Sequence, residues 1–141
     1  MYEFFEHTAD LGLRARADSL PELYAESGRA LFAALVDNYE AVEARDTRQL
    51  TIKAARHDEL LHDWLAELLY LYDVDHLLLA RFDVELTGAD GAELALAATV
   101  HGEPIDHQRH ELDTEIKAIT WHGLRVEEDG DGWLAEVIVD L

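Results

Sequence analysis

The chain contains no cysteine, only two prolines and only two lysines, and nowhere does it carry an apolar run long enough to span a bilayer. The missing cysteine excludes disulfides, thiolate metal sites and cysteine nucleophiles together, leaving aspartate, glutamate and histidine as the strong side-chain ligands. Any bound metal is therefore expected to be a hard one or one held by histidine. Without a stretch of about 18 apolar residues no transmembrane span is expected. Met1-Tyr2-Glu3-Phe4-Phe5-Glu6 is acidic and lacks a small-residue cleavage pattern, so no signal peptide is read there and a cytoplasmic protein is expected. The 141 residues, 49% of them hydrophobic, suit one domain spanning 1–141 around one core, with no disordered tail.

Basic charge is the other scarcity. Eleven bases face 31 acids, for a formal charge of −20, and the only lysines are Lys53 and Lys117. A protein that grips RNA phosphates needs a basic stripe, and none runs along this sequence. Bare nucleic acid is repelled, so a basic protein or a cation is the better-matched partner.

Alternation and helical spacing divide the chain into elements. Residues 2–6 and 11–17 read as strands, the second alternating Leu11, Leu13, Ala15 and Ala17 with Gly12, Arg14 and Arg16. Ser19 followed by Glu22 forms a capping-box signature ahead of a helix over 20–36. A strand over 49–54 precedes a second helix over 58–73, where Leu60, Leu61, Trp64, Leu65, Leu68, Leu69 and Tyr72 follow the i, i+3, i+4 rule. Phe82, Val84 and Leu86 alternate before a Gly88-Ala89-Asp90-Gly91 turn, and Leu94 to Val100 alternate after it, which is a hairpin signature. An irregular stretch is expected over 102–113, extended segments over 115–119 and 122–127, then a turn at 129–132 and a last strand over 133–141. This succession of strands and two helices, with hairpins where strands adjoin, predicts an α+β fold, a largely antiparallel sheet with two helices packed on it.

Few residues carry chemistry. The pairs His57/His62 and His107/His110 do not have the spacing that puts two ligands on one helical face, Arg109 opposes a cation between the latter two, and surface histidines are expected. Ser19 is taken by a helix cap rather than a triad, and neither a GxGxxG nor a Walker loop occurs. The Asp129-Gly130-Asp131-Gly132 turn is too short for an EF-hand series. Asp10 at the mouth of a strand and Asp140 inside the apolar run Val137-Ile138-Val139-Asp140-Leu141 remain. A carboxylate in such a strand either has a partner or lies at a wet, frayed end.

Four blocks together resemble the archease family: His7-Thr8-Ala9-Asp10, the helix from Leu60-Leu61-His62-Asp63-Trp64 to Tyr72-Asp73, Glu115-Ile116-Lys117-Ala118-Ile119-Thr120-Trp121-His122, and the ending Val137 to Leu141. They occur in the family's order from first residues to last. Trp121 replaces the usual tyrosine, Val139 a common phenylalanine and Leu141 a frequent isoleucine. The resemblance implies an archease-like fold and a divalent cation, usually described as calcium, held by Asp10, Asp140 and Leu141. Leu141 would give main-chain oxygen, and as the last residue of the sequence its terminal carboxylate would add charge. It also implies an accessory factor that speeds guanylylation of the tRNA-splicing RNA ligase and keeps it turning over, while the ligase supplies the nucleophile. Lys117 is then a candidate contact for a phosphate or a ligase acid, against its reading as a solvated strand lysine. Two competing classes are a metal-dependent phosphoester hydrolase whose two-metal site is built on Asp10, Asp140 and a nearby acid, and an acidic chaperone-like module that binds basic clients.

Overall fold

The computed structural model describes residues 1–7, 10–89 and 92–141, with the His7 side chain left out. Strands β1 (Tyr2–His7) and β2 (Asp10–Ala17) precede helix α1 (Leu20–Leu35). A 3₁₀ turn (Tyr39–Ala41) and β3 (Asp46–Ala54) lead to helix α2 (His57–Asp75). Five strands follow: β4 (Leu77–Thr87), β5 (Leu94–Pro104), β6 (Ala118–Ile119), β7 (Arg125–Asp129) and β8 (Gly132–Asp140). The two-helix antiparallel α+β fold read from the sequence is the one observed, and the two extended segments read over 115–119 and 122–127 are the short strands β6 and β7.

Among the described residues every strand pairing is antiparallel, and the strands form two sheets rather than one. The larger has the order β1-β2-β8-β6, with β7 pairing the earlier part of β8; the smaller has the order β3-β5-β4. Since β2 takes one edge of β8, β6 and β7 occupy the other edge in succession. Helix α1 packs against β2 of one sheet and β4 of the other, so a single core joins both sheets. Leu23, Tyr24, Leu31, Phe32 and Leu35 of α1 and Leu60, Leu61, Trp64, Leu65 and Leu68 of α2 are fully buried there. Burying each such large apolar side chain contributes about 1.5–3 kcal/mol.

The helix ends follow local chemistry. The Ser19 hydroxyl accepts from the Glu22 amide at 3.3 Å, and Pro21 in the first turn brings its preset φ. Helix α2 starts with Asp58 and Glu59 in its first turn, as the dipole favours, but its last turn has no base and contains Asp73 and Asp75. It stops at His76, whose φ of 54° lies in the left-handed region that glycine prefers. Replacing His76 by glycine should stabilise the fold by up to about 1 kcal/mol, the relief of left-handed strain being partly offset by greater freedom in the unfolded chain. A higher urea midpoint at unchanged m-value is the expected result, and a lower one would give the exposed imidazole a structural role.

Some boundaries differ from the sequence reading, for identifiable reasons. Strand β4 starts at Leu77 rather than near Phe82: Leu77, Leu78 and Leu79 are all buried and so do not alternate, and the register slips between Leu79 and Arg81. Strand β5 runs on to Pro104, so Gly102 and Glu103 belong to a strand and not to the irregular stretch. Of 115–119 only Ala118–Ile119 is strand, and β7 begins at Arg125. Asp90 and Gly91 of the expected hairpin turn, and Thr8 and Ala9 of the first motif, lie outside the described residues.

Candidate functional site

The pairing of β2 with β8 ends at Leu11 opposite Val139, so Asp10 and Asp140 are the next residues outward on two neighbouring strands. Residues 130 positions apart in sequence thereby meet at one end of the larger sheet. Asp10 is half-buried and Asp140 exposed. On the other side of β8, Ala118 pairs with Asp140, and the Lys117 amide donates to the Asp140 carbonyl at 2.8 Å. The short β6 is held by more than this bond: the Thr120 amide and hydroxyl both donate to the Ile138 carbonyl, at 3.0 and 2.8 Å. Asp10, Lys117, Asp140 and Leu141 thus share one sheet end by register alone.

Lys117 is exposed, and among the described residues it makes no ion pair, whereas Lys53 lies 3.7 Å from Glu93. In a chain of −20 net charge an unpaired lysine two steps from Asp140 is an available cation. Among the described residues, the Asp10 and Asp140 carboxylates, the main-chain oxygen of Leu141 and the Lys117 ammonium belong to this end. Among the described residues no three or more histidine, aspartate or glutamate side chains are grouped to hold a metal ion.

The histidines do other work. His57 Nδ1 lies 2.8 Å from the Tyr24 hydroxyl, in a core that includes fully buried Tyr24. His62 Nε2 faces the Ile119 carbonyl at 3.2 Å and Nδ1 faces Asp63 Oδ1 at 3.0 Å, while its ring stacks on Trp121 with centroids 3.9 Å apart and planes at 11°. Helix α2 therefore grips the segment that bears Lys117 from behind. Sequence reading missed this clasp, although the blocks that contain His62 and Trp121 carried the family resemblance.

His110 corrects the expectation of surface histidines, because it is 3% exposed. Its Nδ1 accepts from the Asp106 amide at 2.9 Å, which leaves Nε2 to donate to Glu103 Oε2 at 3.2 Å. Glu103 is 1% exposed and also accepts from Arg109 and from the Glu43 amide. This polar knot fastens the 105–113 segment to the 3₁₀ turn.

Neither serine is a free nucleophile. Ser19 caps α1, and Ser27, which sequence reading passed over, is buried and donates to the Leu23 carbonyl at 2.8 Å. A groove of about 840 Å³ at the start of α2 is lined by Lys53, Arg56, His57 and Arg125 but by neither Asp10 nor Asp140. Its cations are matched by acids, Lys53 by Glu93, Arg56 by Asp58 and Arg125 by Glu127. Among the described residues no helix is long and apolar enough to cross a membrane.

Fold and site together define an acidic, antiparallel α+β domain in which Lys117 and the strand-end aspartates meet at one sheet end. Residues 2–141 match the archease protein family. The archease of Methanopyrus kandleri is 38% identical over 141 residues, covering 99% of each chain. The solution structure of protein 1598 of Methanobacterium thermoautotrophicum superposes with a TM-score of 0.85 at 33% identity, over 99% of this chain and 98% of that one. A Thermotoga maritima archease described as a possible chaperone shares the fold, with a TM-score of 0.60 at 22% identity over 100% and 98% of the two chains. The chain belongs to the archease family.

Proposed function

We propose that this chain is an accessory factor, not itself a catalyst, that binds a divalent cation and activates the tRNA-splicing RNA ligase by promoting its guanylylation and repeated turnover in the cytoplasm. The observation that carries this reading is the meeting of Asp10, Asp140 and Lys117 at one sheet end. The donor chemistry fits calcium: two carboxylates and the Leu141 main-chain oxygen are hard ligands, and calcium takes roughly six to eight oxygens, so water or a partner would complete the shell. Bound there, the cation would supply positive charge that offsets the facing carboxylates. Asp10 and Asp140 would hold it, and Lys117 would reach a phosphate or an acid of the ligase beside it.

The −20 charge argues against an independent grip on RNA. Incubated with tRNA halves, GTP and a divalent cation, the chain alone should neither join nor cleave RNA; added to the purified ligase, it should raise the rate of guanylylation and the number of turnovers. Cleavage by the chain alone would support the hydrolase reading. Suppression of aggregation of unrelated basic proteins, with no effect on the ligase, would support the chaperone reading.

A further inference from the structure

Among the described residues, no element covers one face of the second half of helix α2. Tyr70 and Val74, one turn apart, are 54% and 52% exposed. Trp121, stacked on His62 two turns earlier, is 55% exposed, and Ala66 lies on the ridge between His62 and Tyr70. Large apolar side chains gathered along one helical ridge mark an interaction surface more strongly than the same residues scattered singly.

The charges around this ridge are acidic. Asp63, Glu67, Asp73 and Asp75 belong to the same exposed side or its end, and within 62–76 of the helix and its cap His62 and His76 are the basic side chains. Asp73 and Asp75 also sit in the last turn, where the helix dipole disfavours negative charge and no base offsets it. Burial and the neighbouring Glu115 raise the Asp73 carboxyl above its usual range. A cationic partner would relieve all three repulsions.

We propose that the exposed face of α2, flanked by Trp121, docks a lysine- or arginine-rich protein segment whose aliphatic stems cover Tyr70, Val74 and Trp121 while its charges meet Asp63, Glu67 and Asp73. The inference rests on the reading above, in which the ligase is the partner that carries this segment. A second copy of the chain would bring acid against acid, and RNA would bring phosphate against acid. Affinity for the segment falls with salt, since part of the attraction is between exposed charges.

The test uses the purified ligase and four full-length proteins: unaltered, Tyr70→Ala, Tyr70→Phe and Glu67→Lys. Each altered residue is wholly or partly exposed, so thermal melts should differ little. Tyr70→Ala and Glu67→Lys should each raise the Kd for the ligase at least about tenfold, yet stimulate guanylylation normally at saturating concentration; Tyr70→Phe should restore most of the affinity of Tyr70→Ala. Unaltered protein that binds and stimulates, with variants that bind equally well, would overturn the docking proposal while leaving the accessory-factor reading intact. Unaltered protein that neither binds nor stimulates would remove that reading and the docking proposal with it. Self-association of the unaltered chain, lost in Tyr70→Ala, would assign the face to a second copy and overturn the proposal as well.

Discussion

Glu103→Ala should cost about 3–5 kcal/mol, the usual penalty for removing one member of a buried, hydrogen-bonded charge network. The carboxylate accepts from Arg109 Nη1 at 2.5 Å and Nη2 at 3.3 Å, from the Glu43 amide at 2.6 Å and from His110 Nε2 at 3.2 Å. Its loss leaves the Glu43 amide and a fully buried imidazole N–H without an acceptor, and Arg109 keeps only weaker contacts with Glu43 and the Ala41 carbonyl. The effect should be local as well as global. The 105–113 segment, tied by Asn38 to the chain before the 3₁₀ turn, should exchange its amides faster than the sheet cores do.

The pH dependence carries the same signature. Burial pushes the Glu103 carboxyl up, but the bonds from Arg109, the Glu43 amide and His110 outweigh it and hold the group down to about 2, against 4.5 for an ordinary glutamate. A depressed pKa stabilises the fold in full above the unfolded value, and that stability is lost as pH falls from about 4.5 through about 2. At ~1.36 kcal/mol per pKa unit, about 3 kcal/mol of stability depends on this ionisation. Urea melts of the unaltered chain and Glu103→Ala should therefore differ most near pH 7 and converge towards pH 2. A gap that stays constant from pH 7 to pH 2 would mean that packing, not charge, is what Glu103 contributes.

Glu103 also illustrates what could not be read from the sequence. Its strongest partners include a backbone amide 60 residues earlier and a histidine read as a surface group, and nothing in the local pattern Gly102-Glu103-Pro104 announces a buried acid. By contrast, α2 was legible almost to the residue, because its apolar positions repeat along one face and tertiary packing reinforces that repeat. The first hairpin was legible through the alternation of its second strand, and the last strand as a continuous apolar run after a turn. Strand order was not, since the final strand inserts beside the first hairpin and the sequence holds no signal for that neighbour. The candidate site inherits this division. Asp10 stood out at the mouth of a strand and Asp140 as an acid in apolar company, but their adjacency depends on a register that pairs Leu11 with Val139, and before the fold was known it rested on family resemblance alone.

If that adjacency serves a cation, Asp10→Asn and Asp140→Asn should each weaken calcium binding by at least about tenfold and abolish stimulation of the ligase. Each change keeps the side-chain shape and an oxygen donor but deletes a full charge, and oxygen sites tune calcium affinity largely by the number of charged ligands. At an effective dielectric of about 20, one unit charge some 4 Å from another is worth roughly 4 kcal/mol, ample for a tenfold loss even after solvent screening. The fold should survive. Asp140 is exposed, Asp10 is half-buried, and removing one of two carboxylates at neighbouring strand ends relieves repulsion. Lys117→Ala separates the roles: with no acid bound to its ammonium among the described residues, its loss should leave stability and calcium affinity nearly unchanged and still lower stimulation. Calorimetric titration of calcium into the four proteins, beside guanylylation assays with the purified ligase, distinguishes the outcomes. Equal calcium affinity in all four would move the cation away from this sheet end, and full stimulation by Lys117→Ala would return that lysine to the solvated surface.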